Sequence, residues 1–275
     1  MIRKPAVQGR FYPDSKEKIV MLLSDIEKEE RYPLMKLDIK SVIGAILPHA
    51  GHIYSGYQTM PFFQLLSKMA IYPDTFVIIH PNHSGFGDPL SLDESEYWRN
   101  SLGDVEIDRA FSAHLNIPEN RMAHAHEHSG EVIVPFIQYF SPDKPFKIVP
   151  VCMLDQSYER ATLLAREVFA AAEISGKRIM VIASSDFSHF LPEDKGIIAD
   201  QFVLDKIIEG DIKGVEQQVR DRSISVCGYG PIMALMAYAE MFSPDYQKQI
   251  LARGHSGEVS PSNEVVDYIS MLFFN

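Results

Sequence analysis

The fold is decided by an apolar run that ends in a polar turn, Val42-Ile43-Gly44-Ala45-Ile46-Leu47-Pro48-His49-Ala50-Gly51. The first six of these residues carry no polar side chain and lead into turn-forming residues, which is typical of a strand buried on both faces. Similar apolar runs lie at residues 75–79, 146–153 and 178–183, and a closing run lies at residues 265–274. We expect these segments to form one sheet.

Helical patterns separate the apolar runs. Apolar residues recur at helical spacing in residues 60–70, 131–139, 158–172, 195–208 and 232–242. Alternation of strands and helices predicts a mostly parallel or mixed central sheet with helices on both faces, which is a three-layer αβα sandwich. Since no linker or repeat divides the sequence, we expect one domain over residues 1–275.

The composition excludes several classes of protein. The chain has 275 residues, of which 46% are hydrophobic, and a formal net charge of -11. An acidic surface disfavours non-specific binding to nucleic acid or to an anionic membrane. No apolar run is long enough to cross a bilayer, and the start of the sequence has no signal-peptide pattern. With only two cysteines in the chain, we expect a cytoplasmic protein without a disulfide framework.

Histidines follow two of the predicted strands. His49 comes directly after the first run, and His83 follows the second run after a Pro-Asn turn. Ligands of α/β sheets bind beyond the carboxyl ends of the strands, and neutral imidazole is a common ligand of zinc, iron and copper. A single strand-end histidine could equally cap a helix or bind a loop. The recurrence of the pattern favours a metal site at this edge.

Two further motifs place reactive side chains at the same carboxyl edge of the predicted sheet. After the fourth run, Asp186 could orient an imidazole or approach a metal, and His189 could act as a general acid or base. The alternative is that Asp186 caps a helix and His189 lies on the surface. Cys227 precedes a predicted helix, whose dipole favours the thiolate, and a thiolate is a soft metal ligand. Cys152 lies inside a strand and is expected to be buried and inert.

A histidine-rich loop covers residues 124–131. We place His128 and Glu131 near the cleft and His124 and His126 outside it. The loop could form part of the metal site, or it could serve only as a pH-sensitive lid.

Several motifs occur together, in the same order as in a known family. They are Gly9-Arg10-Phe11-Tyr12-Pro13, Pro48-His49-Ala50-Gly51, Tyr54-Ser55-Gly56, Pro81-Asn82-His83, Trp98 with Ser101-Leu102-Gly103, Glu127-His128-Ser129-Gly130-Glu131, Ser184-Ser185-Asp186-Phe187-Ser188-His189 and Cys227-Gly228. The set resembles the Memo family, the protein B component of the AmmeMemoRadiSam system, across nearly the whole chain. His52, Gly130 and His255 depart from the residues that are usual in that family.

The resemblance implies a fold like that of the class III extradiol dioxygenases, which are non-haem iron enzymes. On that pattern His49, His83 and Cys227 are the expected metal ligands. The resemblance implies that His189 is the catalytic acid or base, with Asp186 beside it. The substrate cleft is then expected to include Tyr54, His128, Glu131 and Phe11.

The same resemblance implies iron (Fe2+) as the metal, with copper or zinc as alternatives, and redox chemistry on an unknown small molecule. Two other functions stay open: a non-catalytic module that binds a ligand or peptide in the same cleft, and a zinc hydrolase. The family name also implies a functional link to a radical S-adenosylmethionine protein and to an AMMECR-type protein. The acidic net charge makes phosphopeptide binding a poor expectation for this chain.

Overall fold

The apolar runs of the sequence form the central sheet in a computed structural model, which describes residues 1–275. The strands are, in chain order, β1 (Ile2–Arg3), β2 (Val42–Leu47), β3 (Thr75–Pro81), β4 (Leu90–Leu92), β5 (Tyr97–Asn100), β6 (Gly103–Glu106), β7 (Lys147–Met153), β8 (Ile179–Ser184), β9 (His189–Leu191), β10 (Gln247–His255) and β11 (Val265–Phe274). The large sheet has the order β10-β11-β2-β8-β3-β7-β4, and β9 pairs with β11 outside this path. β1, β5 and β6 form a separate three-stranded sheet.

The large sheet is mixed. Its four central strands, β2, β8, β3 and β7, are parallel to one another. Antiparallel strands extend it on both sides, with β4 beside β7, and with β11 and then β10 beside β2. The expected mostly parallel or mixed sheet is therefore confirmed.

The helices connect the strands and cover the sheet. They are α1 (Lys16–Glu29), α2 (His52–Ser67), α3 (Arg109–Ser112), α4 (Arg121–Ala125), α5 (Val134–Phe140), α6 (Tyr158–Ser175), α7 (Glu193–Glu209), α8 (Ile212–Arg222) and α9 (Tyr229–Phe242), with two short 3-10 helices at Glu131–Ile133 and Ser256–Glu258. None of them combines the length and the apolar character that a bilayer-crossing helix requires.

Alternate residues of the buried strands face opposite helical layers, as the two-residue period of a strand dictates. In β3, Val77 and Ile79 join one hydrophobic core with residues of α6, α7, α8 and α9. Phe76 and Ile78 join the other core with residues of α1, α2 and α5. Every residue of β3 is buried, which explains its continuous apolar sequence. The chain is thus a three-layer αβα sandwich.

Some elements differ from the sequence-based expectation. α2 begins at His52, eight residues before the predicted start at residue 60, because Gly51 ends the polar turn and serves as the N-cap. α1 was not predicted, although Ser15 caps it and Ile19, Leu23 and Ile26 form its buried stripe. The strands of the small sheet have only two to four residues, which is too short to show a period.

Candidate metal centre

Polar turns meet at the carboxyl edge of the parallel strands. β8 lies between β2 and β3 and runs parallel to both, so the residues that follow these three strands emerge side by side. They carry His49 after β2, His83 after β3 and Asp186 after β8. Cys227 reaches the same place from another direction, directly before Gly228, the N-cap of α9.

His49 is held in a fixed orientation. Its backbone N–H donates to Oδ1 of Asp186 at 2.7 Å, and its Nδ1 lies 2.8 Å from Oγ of Ser184. The Ser184 hydroxyl donates to the carbonyl of Ser129 at 2.7 Å, so its oxygen accepts the proton on Nδ1 of His49. Nε2 of His49 is therefore left with a free lone pair, and it lies 3.2 Å from Sγ of Cys227.

His83 is oriented by a buried carboxylate, Glu127. The His83 backbone N–H donates to Oε2 of Glu127 at 2.6 Å, and Nδ1 of its ring lies 2.9 Å from Oε1. Because a carboxylate only accepts, Nδ1 carries the proton and Nε2 is free to bind a metal. Burial favours the neutral form of Glu127, but hydrogen bonds from His128 and His83 outweigh it and hold the pKa of Glu127 far below its usual value.

Cys227 is half-buried, and its sulfur contacts the turn after β8. The backbone N–H of Asp186 donates to Sγ at 3.2 Å. Burial and the nearby Asp186 carboxylate raise the pKa of the Cys227 thiol well above its usual value. Burial and the Asp186 carboxylate thus favour the protonated thiol, contrary to the expectation that a position before a helix favours the thiolate.

One donor atom from each of His49, His83 and Cys227 lies within 4.8 Å of the other two. Burial lowers the pKa of His49 well below its usual value, and the neighbouring His128 and His83 lower it further. His49 is thus neutral, which is the form of histidine that binds metals.

His189 and Asp186 lie beside this cluster with different contacts. The backbone N–H of His189 donates to Oγ of Ser225 at 2.8 Å, and its Nδ1 lies 2.8 Å from the Ser225 carbonyl. The Ser225 carbonyl accepts the Nδ1 proton, which leaves Nε2 of His189 as the unprotonated nitrogen. Asp186 is buried and holds the backbone of His49, and burial raises the pKa of its carboxyl group.

Three aromatic or imidazole side chains form one wall of the cleft. The His128 ring stacks on the His83 ring with centroids 4.7 Å apart, and the Phe11 ring lies 4.9 Å from His128. Tyr54, in the first turn of α2, is half-buried, and its hydroxyl lies 3.3 Å from Oγ of Ser260.

Comparison with known proteins identifies the family. A family model described as Memo-like protein matches residues 3–272. The chain belongs to the Memo family. It is 36% identical to a MEMO1 family protein of Methanococcoides burtonii over 279 residues, with 98% of this chain and 99% of the relative covered. The MEMO1 family protein of Archaeoglobus fulgidus is 36% identical over 275 residues, with 99% of both chains covered.

A solved structure with little sequence similarity shares the fold of this Memo-family chain. It is an uncharacterized protein of Escherichia coli K12, with 12% identity and a TM-score of 0.54. The match covers 84% of the Memo-family chain and 99% of the other chain. It supports the α/β architecture alone.

Glu131 does not line the cleft of this Memo-family chain, contrary to the sequence-based expectation. It is 2% exposed, and its carboxylate accepts from Arg3 Nη1, from the Tyr12 hydroxyl and from the backbone N–H groups of Ala6 and Val7. All the hydrogen bonds that the Glu131 carboxylate accepts therefore come from the N-terminal segment, which they hold in place. This role could not be predicted from local sequence, because the partners lie more than 110 positions away.

His124 and His126, which we expected outside the cleft, are not among the candidate metal ligands. His124 is buried, and its Nε2 lies 3.0 Å from the carbonyl of Ser91. His126 is exposed. His52, which departs from the family pattern, is buried with Nε2 2.9 Å from the Val132 carbonyl, and burial lowers its pKa to about 4. None of them belongs to the ligand group of His49, His83 and Cys227.

The roles of Glu127, Ser129 and Ser184 in orienting the two candidate ligand histidines were not predicted from the sequence. Oε1 of Glu127 also accepts from the Ser129 hydroxyl at 2.8 Å, and the Ser129 carbonyl accepts from Ser184. Ser129 thus joins the hydrogen-bond chains that orient His49 and His83. The sequence pattern that could have indicated the role of Glu127 is its position between two histidines in residues 126–128.

A cavity with mostly apolar lining lies elsewhere, at the opposite edge of the sheet. It has a volume of about 350 Å³ and is lined by Val42 and Ile179, at the amino ends of β2 and β8, and by Phe169 and Tyr238 of the covering helices. It contains none of the grouped metal-ligating side chains.

Proposed function

We propose that this chain is a metal-dependent redox enzyme that holds one iron ion, as Fe2+, on His49, His83 and Cys227 and acts on a small molecule. The observation that carries the proposal is the meeting of two imidazole nitrogens and one sulfur within 4.8 Å of one another. These atoms come from three separate segments of the chain, so local sequence alone does not account for their proximity.

The spacing of the donors fits a common ion. Ligand nitrogen and sulfur atoms at about 2.1 and 2.3 Å from a tetrahedral ion are about 3.6 Å apart. Nε2 of His49 and Sγ of Cys227 are 3.2 Å apart, so a small outward movement of either side chain suffices. The hydrogen-bonded tautomers of His49 and His83 both present unprotonated Nε2 atoms, and the thiol proton is the one that a bound cation would replace.

The donor set narrows the choice of metal. Imidazole and thiolate together suit iron, copper and zinc rather than magnesium or calcium, which prefer oxygen. Three protein donors leave at least one position open for a ligand. When bound, a redox-active ion supplies electron exchange and polarisation to a molecule at that position.

The neighbouring residues can orient a substrate and move a proton. His189 is anchored through Ser225, so its free Nε2 is available to accept a proton from a bound molecule, which makes it the candidate acid or base. Asp186 positions the backbone of His49 and, through its own N–H, the sulfur of Cys227. His128 and Phe11 line the wall next to His83.

The test is metal analysis of protein purified without oxygen. We expect about one iron per chain in the wild type and little in His49→Ala or His83→Ala. His126→Ala removes an exposed histidine outside the cluster and is the matched control, which should keep its metal. His124→Ala should also keep it.

Three results would change the proposal. Equal metal content in the wild type and His49→Ala would reject the ligand assignment. Stoichiometric zinc without iron or copper would favour the hydrolase. A protein without metal that still binds a peptide or small molecule in the cleft would favour the non-catalytic module.

A further inference from the structure

The cavity at the amino edge of the sheet has no part in the candidate metal centre, because none of its lining residues is a candidate metal ligand. Its volume of about 350 Å³ lies in the range of small-molecule sites, which is about 300–1,000 Å³. Eleven of its 18 lining residues are hydrophobic. The cavity is therefore large enough and apolar enough to hold a small organic molecule.

The cavity lies where the two hydrophobic cores meet around the end of the sheet. Ile179 and Met180 are consecutive residues of β8, so their side chains face opposite layers, and both line the cavity. Ile179 belongs to the core that includes α6 and α9, and Met180 belongs to the core that includes α1, α2 and α5. Two lining residues, Leu66 and Phe242, stand at the ends of α2 and α9. The cavity is thus a product of the fold, at the place where both helical layers end.

One buried polar group of the lining has no partner within the protein. Tyr238 is 2% exposed, and its hydroxyl makes no hydrogen bond, although the hydroxyl of a buried tyrosine usually has one. Because the side chain lines the cavity, the cavity is where the hydroxyl can meet a partner. Burial, together with the nearby Glu173 carboxylate, raises the pKa of Tyr238 to about 12, so the hydroxyl keeps its proton and is a hydrogen-bond donor.

The charges of the lining balance. Lys177 is paired with Asp108, and Arg178 is paired with Asp74. Lys40 and Glu173 form no ion pair, and both are exposed. One unpaired positive group and one unpaired negative group give no net attraction for an anion or a cation, so the lining favours an uncharged ligand.

Exposed apolar side chains stand beside this lining. Ile71, between α2 and β3, is 65% exposed, and Phe242 is 45% exposed. Apolar side chains that remain exposed around a concave surface are typical of ligand-binding grooves. A ligand that fills the cavity would remove part of this apolar surface from water, which stabilises the complex.

We propose that this cavity binds an uncharged, mainly apolar molecule of about two or three aromatic rings in size, whose polar group accepts a hydrogen bond from the Tyr238 hydroxyl. The site uses no metal ligand. It is therefore a binding site separate from the proposed redox centre, and it stands or falls independently of the proposed function.

The experiment uses N-phenyl-1-naphthylamine, an uncharged aromatic probe whose fluorescence rises in apolar surroundings. We expect saturable binding of about one probe per chain, with the same affinity in metal-free and metal-loaded protein. Competition then compares 2-acetylnaphthalene, which has a carbonyl acceptor, with 2-isopropylnaphthalene, which has a similar shape and no acceptor. In Tyr238→Phe, which lacks only the hydroxyl, the affinity for 2-acetylnaphthalene should fall about two- to tenfold, and the affinity for 2-isopropylnaphthalene should not fall.

Cavity-filling variants test the location of the probe. Ala172 lines the cavity from α6, so Ala172→Trp should abolish probe binding, and Ala172→Leu, which adds less volume, should weaken it. Ala170 lies on the same helix, is exposed and does not line the cavity, so Ala170→Trp is the matched control and should bind the probe like the wild type. Thermal unfolding of each variant separates a filled cavity from an unfolded protein.

Four results would overturn the proposal. They are the absence of saturable probe binding in the wild type, unchanged binding in folded Ala172→Trp and Ala172→Leu, an equal effect of Tyr238→Phe on both competitors, and displacement of the probe by a metal ion, which would place it in the metal cleft. A wild-type dimer that Phe242→Asp converts to a monomer, measured by size-exclusion chromatography, would assign the apolar surface to a second copy of the chain instead. Loss of metal binding in His49→Ala with unchanged probe binding would support two separate sites.

Discussion

Replacement of Glu127 by glutamine tests how the protein prepares His83 for a metal. Oε1 of Glu127 accepts from Nδ1 of His83, from the backbone N–H groups of His128 and Ser129, and from the Ser129 hydroxyl. Oε2 accepts from the backbone N–H of His83 at 2.6 Å. A glutamine has one oxygen, and its amide nitrogen must therefore face at least one of these donors.

The less costly orientation places the glutamine oxygen at the Oε1 position. Its Nε2 then opposes the His83 N–H, which leaves two buried donors facing each other and lowers the free energy of unfolding by about 1–3 kcal/mol. The acceptor for Nδ1 of His83 also loses its charge, so the ring is held less firmly. Mutation of a residue that hydrogen-bonds to a metal-ligating histidine typically lowers metal affinity 10- to 100-fold, which corresponds to about 1.4–2.8 kcal/mol.

The assay is anaerobic competition for Co2+ between the protein and a chromophoric chelator, together with thermal unfolding of the metal-free protein. Glu131→Gln is the matched control, because Glu131 is another buried, fully hydrogen-bonded glutamate of the same segment and has no contact with His83. We expect both variants to be destabilised and only Glu127→Gln to lose metal affinity. Affinity within twofold of the wild type in Glu127→Gln, or an equal loss in both variants, would refute the reasoning.

Three other predictions concern stability. Burial and the neighbouring Asp267 raise the pKa of Asp200 to about 8, so the folded protein keeps a proton that the unfolded chain releases above about pH 4. The Asp200–Asp267 pair therefore lowers the free energy of unfolding as the pH rises from about 4 to 8. The melting temperature of Asp200→Asn, relative to that of the wild type, should increase between pH 5 and pH 8. A difference that stays constant over this range would contradict the prediction. Gly130→Ala places a Cβ 2.7 Å from Cδ2 of the buried His80 ring. This contact should lower the free energy of unfolding, measured in urea, by about 1–3 kcal/mol. An unchanged free energy of unfolding would show that the His80 ring can move. Cys152→Ser places a hydroxyl in a fully buried strand and should lower the melting temperature with metal content intact; loss of metal would be inconsistent with a purely structural role.

The central strands were readable from the sequence because they are buried on both faces. The predicted run at 42–47 and the closing run at 265–274 coincide with β2 and β11, and the other runs differ from β3, β7 and β8 by two residues or fewer at each end. β10 was not predicted, because it lies at the sheet edge and its burial is only partial over much of its length. Such a strand has no continuous apolar run.

The proximity of the candidate metal ligands His49 and His83 could be predicted from the sequence, because both residues follow parallel strands of one sheet. His49 and His83 emerge from strands that flank β8, and the general rule for α/β sheets places such residues together. The roles of Glu127 and Glu131 were not readable. Both are glutamates of the same loop, and only the long-range packing of the N-terminal segment decides that one binds His83 and the other binds Arg3.

The central claim is that two imidazoles and one thiolate bind the same ion. X-ray absorption spectroscopy at the edge of the bound metal tests it most directly. For zinc or a similar divalent ion, we expect one sulfur scatterer at about 2.3 Å and two nitrogen scatterers at about 2.0–2.1 Å, with loss of the sulfur in Cys227→Ser. A first shell without sulfur in the wild type, or a sulfur that persists in Cys227→Ser, would contradict the assignment.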